Sequence, residues 1–144
     1  MGVRALKQNL EISFSSELPN VKQVVMNILY FLQSAIPSLS CEEQTDLRLV
    51  FSELLYNAVV HGNKSDINKI VYLKVEIEDD FVIGQVTDEG NGFDYTKLLE
   101  RMNDVELLDE CGRGIRLVYS LTDKLMFNIP GNAIHFYKRV AMHG

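Results

Sequence analysis

Cysteine is scarce in this chain. Cys41 and Cys111 are the only two among 144 residues. They have neither the spacing of a metal site nor the number for a disulfide framework, and a reducing, cytoplasmic compartment is the simplest expectation. Long apolar runs are missing too. None approaches the ~18 residues a bilayer-spanning helix needs, so no membrane segment is expected. The stretch Met1-Gly2-Val3-Arg4-Ala5-Leu6-Lys7-Gln8 has no continuous apolar core, and no secretory signal is expected from it. Leu6 stands where a myristoylation pattern requires Ser or Thr. Cations are outnumbered, with 14 Lys and Arg against 20 Asp and Glu and a formal charge of −6. Phosphate-backbone binding needs clustered positive charge, so direct binding of nucleic acid is not expected. There is no internal repeat, low-complexity tract or Pro/Gly/Ser-rich linker.

What is present fits one globular domain over residues 1–144. Hydrophobic residues make up 47% and charged residues 24%, and a chain near 150 residues buries ~70% of its unfolded surface. Residues 10–16 alternate as a strand, with Leu10, Ile12 and Phe14 on one face. Pro19 sits at a helix start, and Val21, Val24, Val25, Ile28, Leu29, Leu32, Ala35 and Ile36 follow at helical spacing until Pro37. Ser40 and Glu43 form an S-x-x-E capping box for a second helix, expected to run to about His61 with Gly62 closing it in the left-handed conformation. Strands over 71–78 and 81–88 turn at Asp79-Asp80. A short helix is expected at 95–103 and an acidic irregular stretch at 104–111. A helix is then expected to open at Gly112-Arg113-Gly114, and a last hairpin to fold around Pro130-Gly131. The order β-α-α-β-β-(α)-α-β-β predicts an α+β, two-layer α/β sandwich with a mixed, mostly antiparallel sheet and helices on one face. Rossmann topology, with repeated βαβ units, does not fit.

Three constellations carry candidate chemistry. Glu53, Asn57 and His61 recur at i, i+4 and i+8 beside the apolar stripe of the second helix. They line either a cleft or an ordinary solvated face. Asp88-Glu89-Gly90-Asn91-Gly92 ends a strand with a carboxylate on the core side, where it needs a donor partner, and glycines let the backbone approach a ligand. The same segment also reads as a plain acidic turn. Gly112-Arg113-Gly114 at a helix start offers bare N–H groups to an anion, with Arg113 adding charge, or is a flexible cap.

Taken in order, these segments resemble the GHKL ATPase superfamily with its Bergerat ATP-binding fold, and within it the bacterial anti-sigma factors that are also serine-protein kinases. Leu47 to Gly62, ending N-A-x-x-H-G, is similar to their N-box. Val86 to Phe93 is similar to the G1 box and Gly112 to Ile115 to the G2 box. The resemblance covers nearly the whole chain. It implies that Asn57 holds Mg²⁺ bridging the phosphates of ATP or ADP, that Asp88 accepts the adenine amino hydrogen with Gly92 beside the ring, that Gly90 belongs to the same nucleotide site, and that Gly112, Arg113 and Gly114 cradle phosphate. Glu53 is the implied catalytic base, and residues 94–111 the lid. The chain departs from the sporulation-type kinases in two places. Asp109-Glu110-Cys111 stands where they carry an Arg, and no Thr lies near Asn132-Ala133.

The implied function is an ATP-dependent serine kinase that phosphorylates an anti-anti-sigma (STAS-domain) protein and sequesters a sigma factor in a partner switch, as a homodimer. Two alternatives are a nucleotide-binding module that sequesters a partner without phosphoryl transfer, and a histidine-kinase catalytic domain. The latter lacks a dimerisation helix pair with an acceptor His.

Overall fold

The computed structural model describes residues 8–101 and 110–141. Five strands form one sheet, β1 Gln8–Ser15, β2 Ile70–Glu78, β3 Phe81–Thr87, β4 Lys124–Phe127 and β5 Ala133–Arg139, in the spatial order β1-β2-β3-β5-β4. Every pairing is antiparallel, so the expected mixed sheet is corrected to an antiparallel one. The reason is topological. β4 runs in the direction of β3, but β5 folds back between them, and no two like-directed strands become neighbours. The α+β sandwich itself is as expected.

Inward positions follow the period of two. Val71, Leu73, Val75 and Ile77 of β2 and Val82 and Val86 of β3 are buried, and Leu10, Ile12 and Phe14 of β1 pack against the same core. Against this face lie α1 Leu18–Ala35, α2 Cys41–Tyr56 and α4 Glu110–Leu121, while α3 Tyr95–Glu100 is a short helix after β3. Burying each large apolar side chain contributes about 1.5–3 kcal/mol. Phe51 of α2 and Phe136 of β5 meet edge to face with ring centroids 5.2 Å apart. Gly84 of β3 makes room for them, since a Cβ there would overlap the Phe136 ring. The opposite face of the sheet carries exposed Tyr72 and Gln85.

Local chemistry sets the helix ends. Pro19 lies in the first turn of α1, where its missing N–H costs nothing. The Ser40–Glu43 capping box is present, with Glu43 N–H donating to Ser40 Oγ at 3.0 Å and Ser40 N–H to Glu43 Oε1 at 2.9 Å. Asp94 caps α3 by accepting from the Thr96 and Lys97 N–H groups.

Three boundaries differ from the sequence reading. The second helix is α-helical only to Tyr56, and Asn57–Gly62 then form a π-helical turn. Gly62 is not in the left-handed region, and Asn63, at φ −89°, closes the helix instead. The wider turn is held by Asn63 N–H on Ala58 O and Ser65 N–H on Val59 O, both at 2.8 Å. The last helix opens at Glu110 rather than at Gly112, so 110–111 leave the expected irregular stretch. Residues 102–109, which hold the rest of that stretch, the end of the expected 95–103 helix and part of the expected lid, lie outside the described residues.

Candidate functional site

The end of α2, the turn after β3 and the β4–β5 loop meet over the sheet and enclose a cleft. Its floor is apolar, made by Leu54, Ala58, Val86 and Ile134. Its polar groups are few, namely Asn57, His61, Asp88 and Asn132. Phe93 and Tyr95 form one wall with ring centroids 5.0 Å apart, and Tyr95 stacks on Phe127 at 4.1 Å. A mostly apolar cleft with a few aimed polar groups is the usual form of a small-molecule site.

At one end stand Glu53 and Asn57, one helical turn apart. Asn57 is buried, and its Nδ2 has no hydrogen-bond partner among the described residues. A buried donor left unmade costs about 1–3 kcal/mol, which marks this amide as one shaped for an outside acceptor. Gly114 of α4 closes on the same pair. A Cβ at Gly114 would overlap Glu53 Oε2 and come within 3.6 Å of Asn57 Nδ2. Glycine at 114 leaves room for the Glu53 carboxylate at the α2–α4 junction. Gly112 is also buried, while Arg113 is exposed. Because α4 starts at Glu110, Gly112 and Arg113 lie within its first turn. Gly114 follows them.

At the other end stands Asp88. Its Oδ1 accepts the Gly90 N–H at 2.8 Å, and its backbone is clamped to Asn132 by Asp88 N–H on Asn132 O at 2.9 Å and Asn132 Nδ2 on Asp88 O at 3.1 Å. Burial pushes the Asp88 carboxyl above the ordinary aspartate value, against the pull of the Gly90 N–H and the Lys69 charge. Gly62 lies directly under this carboxylate, and a Cβ there would overlap it. Gly92 has a positive φ of 92° and passes so close to Pro130 that a Cβ would meet its carbonyl oxygen.

The structure therefore brings Asn57, Asp88 and Gly92 to one cleft, with Glu53 and Gly114 at its α4 end. Gly90 supports Asp88 from behind. His61 is exposed at the cleft rim, with its ring 6.0 Å from that of Tyr56.

Residues 14–138 match the model of the histidine kinase-like ATPase domain. The chain belongs to that family. Relatives include the anti-sigma F factors of Geobacillus thermodenitrificans (strain NG80-2), 32% identical over 60% of this chain and 58% of that protein, of Geobacillus kaustophilus (strain HTA426), 26% identical over 94% of this chain and 95% of that protein, and of Bacillus subtilis (strain 168), 29% identical over 60% and 58%. With the first and third, the matched segment spans little more than half of the relative's length. An ATPase domain of this family is a nucleotide-binding domain.

Sequence reasoning missed Gly62 as a packing residue, and also Asn63, Tyr95 and Asn132. Gly62 ended a recognisable box, so a signal was there. Asn63 and Asn132 gave none, because their partners lie 26 and 44 residues away.

Proposed function

We propose that this ATPase-family chain is an anti-sigma factor with ATP-dependent serine kinase activity. One observation carries the reading: the unpartnered buried amide of Asn57 faces the cleft one helical turn from Glu53, with a base-reading carboxylate at the far end. The relatives' shared name, anti-sigma F factor, supplies the partner class. The sigma factor is the sequestered partner and an anti-anti-sigma protein of STAS type the phosphoryl acceptor. The cytoplasm is the compartment where both occur. No helix among the described residues is long and apolar enough to cross a membrane. The first strand, β1, pairs only with β2 among the described residues, and a free edge of eight residues suits pairing with a second copy as a homodimer.

The residues fit a nucleotide with Mg²⁺. The Asn57 amide offers an oxygen to a hard cation and N–H to a phosphate oxygen. A hard cation such as Mg²⁺ would be held there by the Asn57 amide oxygen. Bound there, it neutralises phosphate charge. Asp88 accepts the adenine amino hydrogen, and Gly90 and Gly92 keep the backbone turn close to the base. Gly112 and Arg113 meet phosphate at the start of α4, and Gly114 lets α4 close on α2. Glu53 takes the proton of the acceptor serine hydroxyl as its oxygen attacks the γ-phosphorus. The bond from the γ-phosphorus to the bridging oxygen breaks, and ADP leaves with that oxygen.

The test joins two measurements. Thermal unfolding with and without Mg·ATP reads binding, which stabilises by about 2.7 kcal/mol at a hundredfold excess over Kd. Labelling of an anti-anti-sigma protein with γ-labelled ATP reads transfer. A nucleotide shift with label on serine supports the proposal. A shift with no label on any acceptor leaves the sequestering module, and label on a histidine leaves the histidine-kinase reading.

A further inference from the structure

Asn63 is fully buried, and its polar atoms are all engaged. Its Oδ1 accepts the Glu89 N–H at 2.7 Å, and its Nδ2 donates to Ser16 Oγ at 2.8 Å and Ile70 O at 3.1 Å. Ser16 Oγ passes its own hydrogen to Lys69 O at 2.7 Å. Glu89 closes the circuit by accepting the Ile70 N–H on its side chain. This amide has one possible orientation. Rotated, it would set NH₂ against the Glu89 N–H and oxygen against the Ile70 carbonyl. A buried group so constrained dictates where its partners sit.

Those partners begin immediately after Asp88. The preceding residue acts on the same turn, for Gly62 lies under the Asp88 carboxylate and its carbonyl oxygen abuts Gly90. Residues 62–63 and 88–90 thus form one interlocked block, although 26 residues separate Asn63 from Glu89. Resting on the nucleotide reading above, we propose that Asn63 is a positioning residue for base recognition: its bond to the Glu89 N–H fixes the turn that presents the Asp88 carboxylate, and so sets the preference for adenine over guanine nucleotides. Adenine offers an amino donor at the position where guanine has a carbonyl acceptor. A fixed acceptor rewards the first and repels the second, and a turn free to shift loses that contrast.

The test uses the full chain and three variants. Asn63→Ala removes the bond to Glu89. Asn63→Asp keeps that acceptor and loses both donors. Ser16→Ala removes only a partner of Nδ2. Affinity is measured for ATP and GTP by titration calorimetry, and amide exchange by NMR in the nucleotide-free protein. In the wild type, the Glu89 amide should exchange slowly and ATP should bind more tightly than GTP. Asn63→Ala should speed Glu89 exchange and cut the ATP-over-GTP ratio at least about tenfold. Ser16→Ala and Asn63→Asp should lower thermal stability while holding the ratio within about threefold of wild type. If Asn63→Ala does not fold, Asn63→Asp decides, and a collapsed ratio there overturns the role. A freely exchanging Glu89 amide in the wild type, or an unchanged ratio in Asn63→Ala, also overturns it. A wild type that binds neither nucleotide instead brings down the proposed function, and this role with it.

Discussion

Gly62 and Asp88 touch. The α-carbon at the end of the π-helical turn lies under the Asp88 carboxylate with no room for a methyl group. Gly62→Ala should therefore push the carboxylate out of line. Overpacking of this kind costs about 1–3 kcal/mol, and affinity for Mg·ATP should fall at least about tenfold. Denaturant unfolding and nucleotide titration on the same samples check both. A Gly62→Ala variant that binds ATP as the wild type does would falsify the idea that this contact aims Asp88.

The amide of Asn57 has the opposite economy. Its Nδ2 meets no partner among the described residues, so Asn57→Ala should cost little stability, or even raise it, by removing a group whose burial costs about 1–3 kcal/mol. Stabilisation by Mg·ATP should vanish. Paired thermal scans, with and without Mg·ATP, read the two effects separately. A large loss of stability without nucleotide would show that the amide is structural.

Asp88 should reveal itself through pH. Burial first, then weaker opposing pulls from Gly90 and Lys69, leave its carboxyl above the ordinary aspartate value. A group with a raised folded-state pKa gives its stabilising contribution fully below the unfolded value and loses it as pH rises through the folded value. At neutral pH the ionised Asp88 therefore weighs against the unliganded fold. Asp88→Asn should melt higher than wild type at neutral pH without nucleotide, and the gap should close on acidification. With Mg·ATP the order should reverse, because the amide offers a donor to the adenine amino group. Melting curves across the acid-to-neutral range test the sign.

Under the proposed function, Glu53 and Gly114 stand where phosphoryl transfer would occur. Glu53→Gln should keep nucleotide binding and lose phosphoryl transfer by about 10²–10⁴-fold, the usual share of a general base. Gly114→Ala should do similar damage by another route, since its Cβ would overlap Glu53 Oε2. Single-turnover transfer to the acceptor protein, beside ATP affinity, distinguishes a lost base from a lost site. Equal loss of affinity and rate in Glu53→Gln would argue against the base assignment.

What the sequence made legible was local. The Ser40–Glu43 box caps a helix through bonds spanning three residues, and the structure has both of them. The alternation of Val71, Leu73, Val75 and Ile77 was sufficient to place a buried strand face. The cleft polar groups Asn57 and Asp88 were readable because their types and spacing follow a family pattern. The end of α2 was not readable. A left-handed glycine cap and a π-helical turn begin from the same residues, and the choice is made by Asp88 and Glu89, which reach Gly62 and Asn63 only after a whole hairpin intervenes. The start of α4 was misjudged in the same way. Gly112-Arg113-Gly114 looked like a helix opening because glycine suits ends, but Gly114 serves close packing against Glu53 inside the helix.

The π-helical turn over Asn57–Gly62 also limits how this chain can vary in length. A π-helical turn closes at i→i+5 and spends about one residue more than an α-helical turn on the same rotation. Removing one residue between Asn57 and Asn63 would let the turn relax to an ordinary α-helix and leave Gly62 and Asn63 facing the β3 turn. Adding one would rotate them ~100° away from it. Single-residue insertions should therefore be selected against here more strongly than deletions, and far more strongly than at the Asp79-Asp80 hairpin tip, so across descendants of this gene the spacing between Asn57 and Asn63 should shorten before it lengthens.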